Sequence, residues 1–144
     1  MDDTTMEMMR LAARGYSCAQ IMIQLAPAAR GRANPALVRA MAGLAYGGGT
    51  GVGTCGALAG AWCLLGLHAG KGKDEETESP RLPRMLEDIT EWFQKRLGGI
   101  TCHAVTGEDV PAAARQRCGL LVADTFARAM AILAENGFDP ELET

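Results

Sequence analysis

Between Ala40 and Gly70 the chain runs for 31 residues without Asp, Glu, Lys or Arg, and ten of those residues are glycine. A stretch so poor in charge has to be buried, so it dictates what the rest of the chain must do. Five of the glycines fall within residues 47 to 53, and the uninterrupted helical part, Thr54 to Leu67, is 14 residues long. A bilayer span takes about 20 apolar residues, so the expectation is a buried core helix entered through a glycine turn, with no membrane span. The flanking segments must then present amphipathic faces that cover this helix in water.

Their apolar spacing fits that task. Met6, Met9 and Ala13 share a side of a short first helix, with Gly15 at the stop position. Ser17 reads as the N-cap of a second helix with Cys18, Ile21, Met22 and Leu25 on one face, ended by Pro27. Asn34-Pro35 opens a third, whose stripe is Leu37, Val38, Met41, Leu44 and Ala45 and whose stop is Gly47-Gly48-Gly49. Thr54 is the expected N-cap of the fourth, central helix, which carries Cys55, Leu58, Ala59, Trp62, Leu65 and Leu67; Gly56 and Gly60 leave a groove on it for close backbone approach. After a charged, exposed connection over 71–79, Ser79-Pro80 opens a fifth helix with Met85, Ile89, Trp92, Phe93 and Leu97 inward and Gly98-Gly99 at its end. Thr101-Cys102-His103 reads as a turn. The last helix is expected from near Pro111 to Asn136-Gly137, with Cys118, Leu121, Val122, Thr125, Ala129 and Ile132 on one face. Twenty-four Ala and 15 Leu against five Val and five Ile favour helix over strand throughout. Residues 1–144 therefore read as one all-α domain, a mostly antiparallel bundle of five or six helices.

Several function classes drop out. Net charge is -3 and no Lys/Arg cluster interleaves with aromatics, which excludes a nucleic-acid binder. The acidic start Met1-Asp2-Asp3-Thr4-Thr5 has no basic segment followed by an apolar run, so a cytoplasmic location is expected. No Ser/His/Asp set or paired carboxylates can be made out for hydrolysis. Gly51-Val52-Gly53-Thr54-Cys55-Gly56 is a literal GxGxxG, with Asp74 near the position of a ribose-binding acid. A dinucleotide site needs a strand feeding those glycines, and Leu37 to Tyr46 has helical period instead.

The chemistry lies in the cysteines: Cys18, Cys55, Cys63, Cys102 and Cys118, no two of them a CxxC pair. Stable disulfides are not expected in a reducing compartment, which leaves core thiols, redox-active thiols or metal ligands. Cys55 at a helix start meets free backbone N–H groups and the positive end of the dipole, both of which favour thiolate. The backbone N–H groups of Gly53, Thr54 and Gly56 are candidates to approach a bound cofactor. Cys18 and Cys118 lie on inward helix faces and Cys102 at a turn, so the four can converge as helical bundles build cofactor sites. Four thiolates suit an iron–sulfur centre or zinc, and two suffice for thiol–disulfide exchange. Cys63, eight residues after Cys55, is rotated by about 80° and lies roughly 12 Å further along a helix, which makes it a core thiol. His103 beside Cys102 is a candidate to orient or replace a ligand, and His68 a partner for a helix C-terminus.

The order Cys18, then Cys55-Gly56-Ala57-Leu58-Ala59-Gly60, then Cys102, then Cys118 resembles the C_GCAxxG_C_C family of small redox-active proteins, named for four cysteines around such a hexad. The resemblance runs over nearly the whole chain, including Gly15-Tyr16-Ser17-Cys18-Ala19-Gln20 and Thr101-Cys102 to Gly107-Glu108-Asp109. A related module is present in split-Soret cytochromes, where an iron centre accompanies the haems. This chain has no Cys-x-x-Cys-His, so covalent haem is not expected. The resemblance implies redox or metal chemistry at Cys18, Cys55, Cys102 and Cys118. The leading expectation is a [2Fe–2S] centre in an electron carrier with a redox partner protein, as a monomer or homodimer. The alternatives are a metal-free thiol–disulfide oxidoreductase with Cys55 as the low-pKa attacking thiol, and structural zinc.

Overall fold

The charge-free stretch supplies the centre. A computed structural model describes residues 2–26, 34–107 and 119–139, and in it the helix Gly56–Ala69 is covered on nearly every side. Ala57, Leu58, Ala61, Leu64 and Leu65 have no exposed surface at all.

Seven α-helices are present among the described residues: α1 Asp3–Ala13, α2 Cys18–Leu25, α3 Pro35–Met41, α4 Gly56–Ala69, α5 Leu82–Leu97, α6 Cys102–Thr106 and α7 Gly119–Glu135. Ala42–Leu44 continues α3 as a 3-10 turn, and Ala45–Gly48 adds a helical turn whose Tyr46 and Gly47 have left-handed dihedrals. The described residues form no strand, only an isolated antiparallel bridge between Thr54 and Thr101. Helices α2, α5 and α7 pack on α4, and α1 closes the bundle against α2 and α7. None of the helices is long and apolar enough to cross a membrane.

Local chemistry explains the boundaries. Asp2 accepts the Thr5 N–H at 2.7 Å, which starts α1 earlier than its apolar spacing implies. Ser17 and Gln20 form a capping box at α2, the Ser17 N–H donating to Gln20 Oε1 at 3.1 Å. Gly60 is the groove that its spacing predicts: a Cβ there would lie 2.8 Å from Met22 Cβ, so α2 and α4 pack almost backbone to backbone. Trp62 Nε1 donates to Thr90 Oγ1 at 2.9 Å and ties α4 to α5.

Four expectations need correction. On α1 the inward residues are Met8 and Leu11, whereas Met6, Met9 and Ala13 are exposed. The helix beyond the expected five or six is α6, where Thr101-Cys102-His103 reads as a turn; Thr101 Oγ1 accepts the Ala104 N–H at 3.1 Å and caps a helix there. Helix α4 is capped by Cys55 instead of Thr54, because Thr54 is held in the bridge to Thr101 and the Cys55 N–H donates to Ile100 O at 2.7 Å. In the third segment only Met41 and Ala45 are buried, while Leu37, Val38 and Leu44 stay half-buried. Pro27, Pro111 and Cys118 lie outside the described residues.

Candidate functional site

The site begins with a turn of unusual hand. Tyr46, Gly47, Gly48 and Gly49 have φ of 55°, 63°, 72° and 85°, four left-handed residues in succession. The Gly49 N–H closes this turn on Ala45 O and the Gly51 N–H on Tyr46 O, both at 2.8 Å. A residue with a Cβ gives up roughly 1–2 kcal/mol in this conformation, which is why glycine fills three of the four positions. Tyr46 is the single non-glycine residue with positive φ among those described.

Behind the turn the chain doubles back. The Gly53 N–H donates to Gly47 O at 3.1 Å, and a Cβ on Gly47 would sit 2.7 Å from Gly53 O and 3.1 Å from Cys102 Cβ. The start of α6 is stitched to the same strip: the Cys102 N–H donates to Gly53 O at 3.0 Å and the His103 N–H to Gly51 O at 2.9 Å. The Nε2 end of the His103 ring lies against Gly51, so any side chain at 51 would collide with it. The glycines, whose pattern predicts a helix stop and a turn into the central helix, join the starts of α4 and α6 in the fold.

Three cysteines meet around this strip, each at the start of a different helix. Cys18 is the first residue of α2, Cys55 is the N-cap of α4, and Cys102 is the first residue of α6. The Cys18 sulfur lies directly against Gly56, leaving no room for a side chain there. The backbone N–H groups of Tyr46, Ala19 and Cys18 itself favour negative charge on the Cys18 sulfur, and those of Ala57 and Leu58 favour it on Cys55. At Cys102 the Thr106 hydroxyl reaches the sulfur and also donates to Cys102 O at 2.9 Å. The three thiols lie close enough that Cys102 charge opposes ionisation of Cys18, and Cys18 and Cys102 charge opposes that of Cys55.

Burial dominates the electrostatics. It pushes the Cys55 thiol up to about 11 and raises Cys18 and Cys102 as well, against the lowering by the N–H and hydroxyl donors. The expectation of a low-pKa Cys55 is therefore corrected: taking sulfur out of water outweighs the helix start in the metal-free chain. Cys18, Cys55, Cys63 and Cys102 are all unbridged thiols. Among the described residues, no three His, Cys, Asp or Glu side chains are spaced to ligate a single ion.

The remaining candidates sort out around this centre. Gly53 has its amide engaged by Gly47 O, so the amides that reach a site sulfur on α4 are those of Ala57 and Leu58, which sequence reasoning passed over. Cys63 has its pKa raised by burial alone, and it lines an apolar cavity of about 430 Å³ that runs from Trp62, Leu82 and Leu86 to the glycine strip at Gly47, Gly48 and Gly53. His68 Nε2 is buried without a hydrogen-bond partner, and burial lowers its pKa. The Tyr46 amide and the Thr106 hydroxyl carry no sequence signal of their role.

The described residues form a helical bundle with thiols at the starts of three helices. The chain belongs to the family described as "Putative redox-active protein (C_GCAxxG_C_C)", whose model matches residues 16–132. That name spells glycine before cysteine, whereas this chain has Cys55 before Gly56. No curated protein and no solved structure matches the chain.

Proposed function

We propose that the protein is an electron carrier in which Cys18, Cys55 and Cys102, with Cys118 as fourth ligand, hold an iron–sulfur centre of the [2Fe–2S] type. The observation that carries this reading is that Cys18, half-buried, and Cys55 and Cys102, buried, stand at three helix starts close enough to feel one another's charge, with backbone N–H groups favouring negative charge on Cys18 and Cys55. The donor set fits such a centre in kind. A [2Fe–2S] centre takes two thiolates on each iron, so it needs pairs of sulfurs and not three around one point. A single zinc ion needs its ligands around one point, and the described thiols are not so arranged.

When bound, such a centre supplies one-electron chemistry. The chain's own contribution is separate. The N–H groups of Tyr46, Ala19, Ala57 and Leu58 stabilise negative charge on sulfur, and the buried surroundings exclude water. The same burial keeps the thiols protonated at neutral pH in the metal-free chain, which makes them poor nucleophiles and weighs against metal-free thiol–disulfide exchange.

Anaerobic purification followed by iron and acid-labile sulfide analysis and a visible spectrum tests the proposal. Stoichiometric iron and sulfide with absorbance lost on reduction is the expected result. Colourless protein without either, whose thiols cycle between reduced and disulfide forms, would establish the thiol–disulfide alternative.

A further inference from the structure

We propose that the uncovered side of α4, together with the outer side of α5, forms a docking groove for a basic amphipathic helix of a partner protein. The groove stands on its own geometry, whatever the thiols hold.

The shape comes from two adjoining apolar hollows of about 430 and 550 Å³ that share Trp62 and Leu86, both half-buried. The first runs along α4 at Ala59, Cys63 and Gly66, spaced four and then three residues apart and therefore on one side of the helix. Small residues let a neighbour come close, as Gly60 does for α2 on another side of α4. At Gly66 no neighbour arrives: a Cβ there would meet nothing within 4 Å. A glycine inside a helix costs stability, and the chain's own packing does not require this one. It keeps open the close approach that a further helix would use. Trp62 walls the groove in a fixed position, its Nε1 donating to Thr90 Oγ1 at 2.9 Å.

The rim says what kind of helix fits. The second hollow is edged by Glu87 and Glu91, exposed carboxylates four residues apart on α5. Neither makes an ion pair among the described residues, whereas the neighbouring Arg84 and Arg96 pair with Asp88 and Asp124 at 2.9 and 2.8 Å. From Leu82 to Gln94 the two hollows follow α5 for about 18 Å, room for three turns of a second helix. An apolar floor with a negative edge matches a helix that carries apolar anchors at i, i+3, i+4 and i+7 and lysine or arginine beside them. Its seat adjoins the thiols. The first hollow is bounded by Gly47 and Gly53, and the Cys102 N–H donates to Gly53 O at 3.0 Å.

Two model peptides titrated into the full chain test it, read by calorimetry and by amide and indole NMR shifts. Both are helical, about 14 residues long, with leucine at i, i+3, i+4 and i+7; the other positions are lysine in one and glutamate in the second. The lysine peptide should bind about tenfold tighter than the glutamate peptide, with shifts centred on the Trp62 indole N–H and the Cys63 amide. Glu87→Gln with Glu91→Gln, a pair of surface changes, should remove most of that preference. Gly66→Leu fills the groove and should weaken the lysine peptide by about tenfold or more, with an unfolding midpoint no lower than wild type. Absence of binding by either peptide, equal affinities, or shifts centred away from Trp62 overturns the proposal. Self-association of the chain that Gly66→Leu abolishes would assign the groove to a second copy, and likewise overturn it.

Discussion

Gly47 and Gly53 touch backbone to backbone, the amide of Gly53 donating to the carbonyl of Gly47 at 3.1 Å. Side chains are excluded from both: a Cβ on Gly47 would lie 2.7 Å from Gly53 O, and one on Gly53 would lie 2.6 Å from Gly47 O. This contact closes the left-handed turn and sets the strip against which Cys102 docks.

Gly47→Ala is expected to cost roughly 3 kcal/mol or more, since the new methyl combines a left-handed φ with a collision against backbone that has no rotamer to retreat into. Gly48→Ala shares the positive φ but meets nothing within 4 Å, so it should cost only roughly 1–2 kcal/mol. Urea unfolding of the two variants checks the difference, and equal losses would show that the contact contributes nothing.

Gly56→Ala and Gly66→Ala should move in opposite directions, although both lie on α4. A methyl at 56 displaces the Cys18 sulfur, so iron content in anaerobic preparations should fall below half of wild type. A methyl at 66 meets nothing within 4 Å, and replacing a mid-helix glycine should add about 0.5–1 kcal/mol to stability. Metal analysis reads the first and denaturant midpoints the second.

The buried thiols give the metal-free, reduced protein an alkaline limit. Cys55 has an ordinary value of 9.0 and a folded value of about 11, so the unfolded chain releases this proton first. A raised folded pKa contributes stability that is fully present below pH about 9 and is lost as pH rises through about 11. Cys18 and Cys102 shift in the same direction. Cys55 alone should account for roughly 2–3 kcal/mol of the loss at one pKa unit per 1.4 kcal/mol. Comparing wild type with Cys55→Ala at pH 8 and pH 11 isolates it from other alkaline titrations; parallel losses in the two proteins would refute the assignment.

Cys63→Ser should leave iron content, visible spectrum and midpoint potential unchanged, because burial alone shifts Cys63 and no charge from the other thiols reaches it. Cys18→Ser, Cys55→Ser and Cys102→Ser should each remove most of the bound iron. A spectrum altered by Cys63→Ser and untouched by Cys18→Ser would reverse the division between site and packing.

The helical class, the buried middle helix and the separation of Cys63 from the other thiols were legible because they depend on local quantities: period, charge and residues per turn. Gly60 was legible too, as a small residue where two helices approach. The hand of the turn at Tyr46 was not, since nothing about tyrosine signals positive φ; the strain is imposed by distant partners at Gly51, Gly53 and Cys102. Helix α6 escaped because five residues carry almost no periodic signal, and its existence rests on the Thr101 cap and the bridge to Thr54. The raised Cys55 pKa escaped for a related reason. A helix start is visible in a sequence, whereas the depth to which it is buried belongs to the tertiary fold.

The spread of the three thiols along the chain also has a consequence in time. Cys18 leaves the ribosome 84 residues ahead of Cys102, an interval of about 4 to 17 s at roughly 5–20 residues per second. Throughout it, Cys18 and then Cys55 exist as isolated thiols, with neither the α6 strip nor their later neighbours to shield them. The newly made chain is therefore most open to oxidation before the fold that buries its sulfurs exists, and the finished molecule is its own best protection.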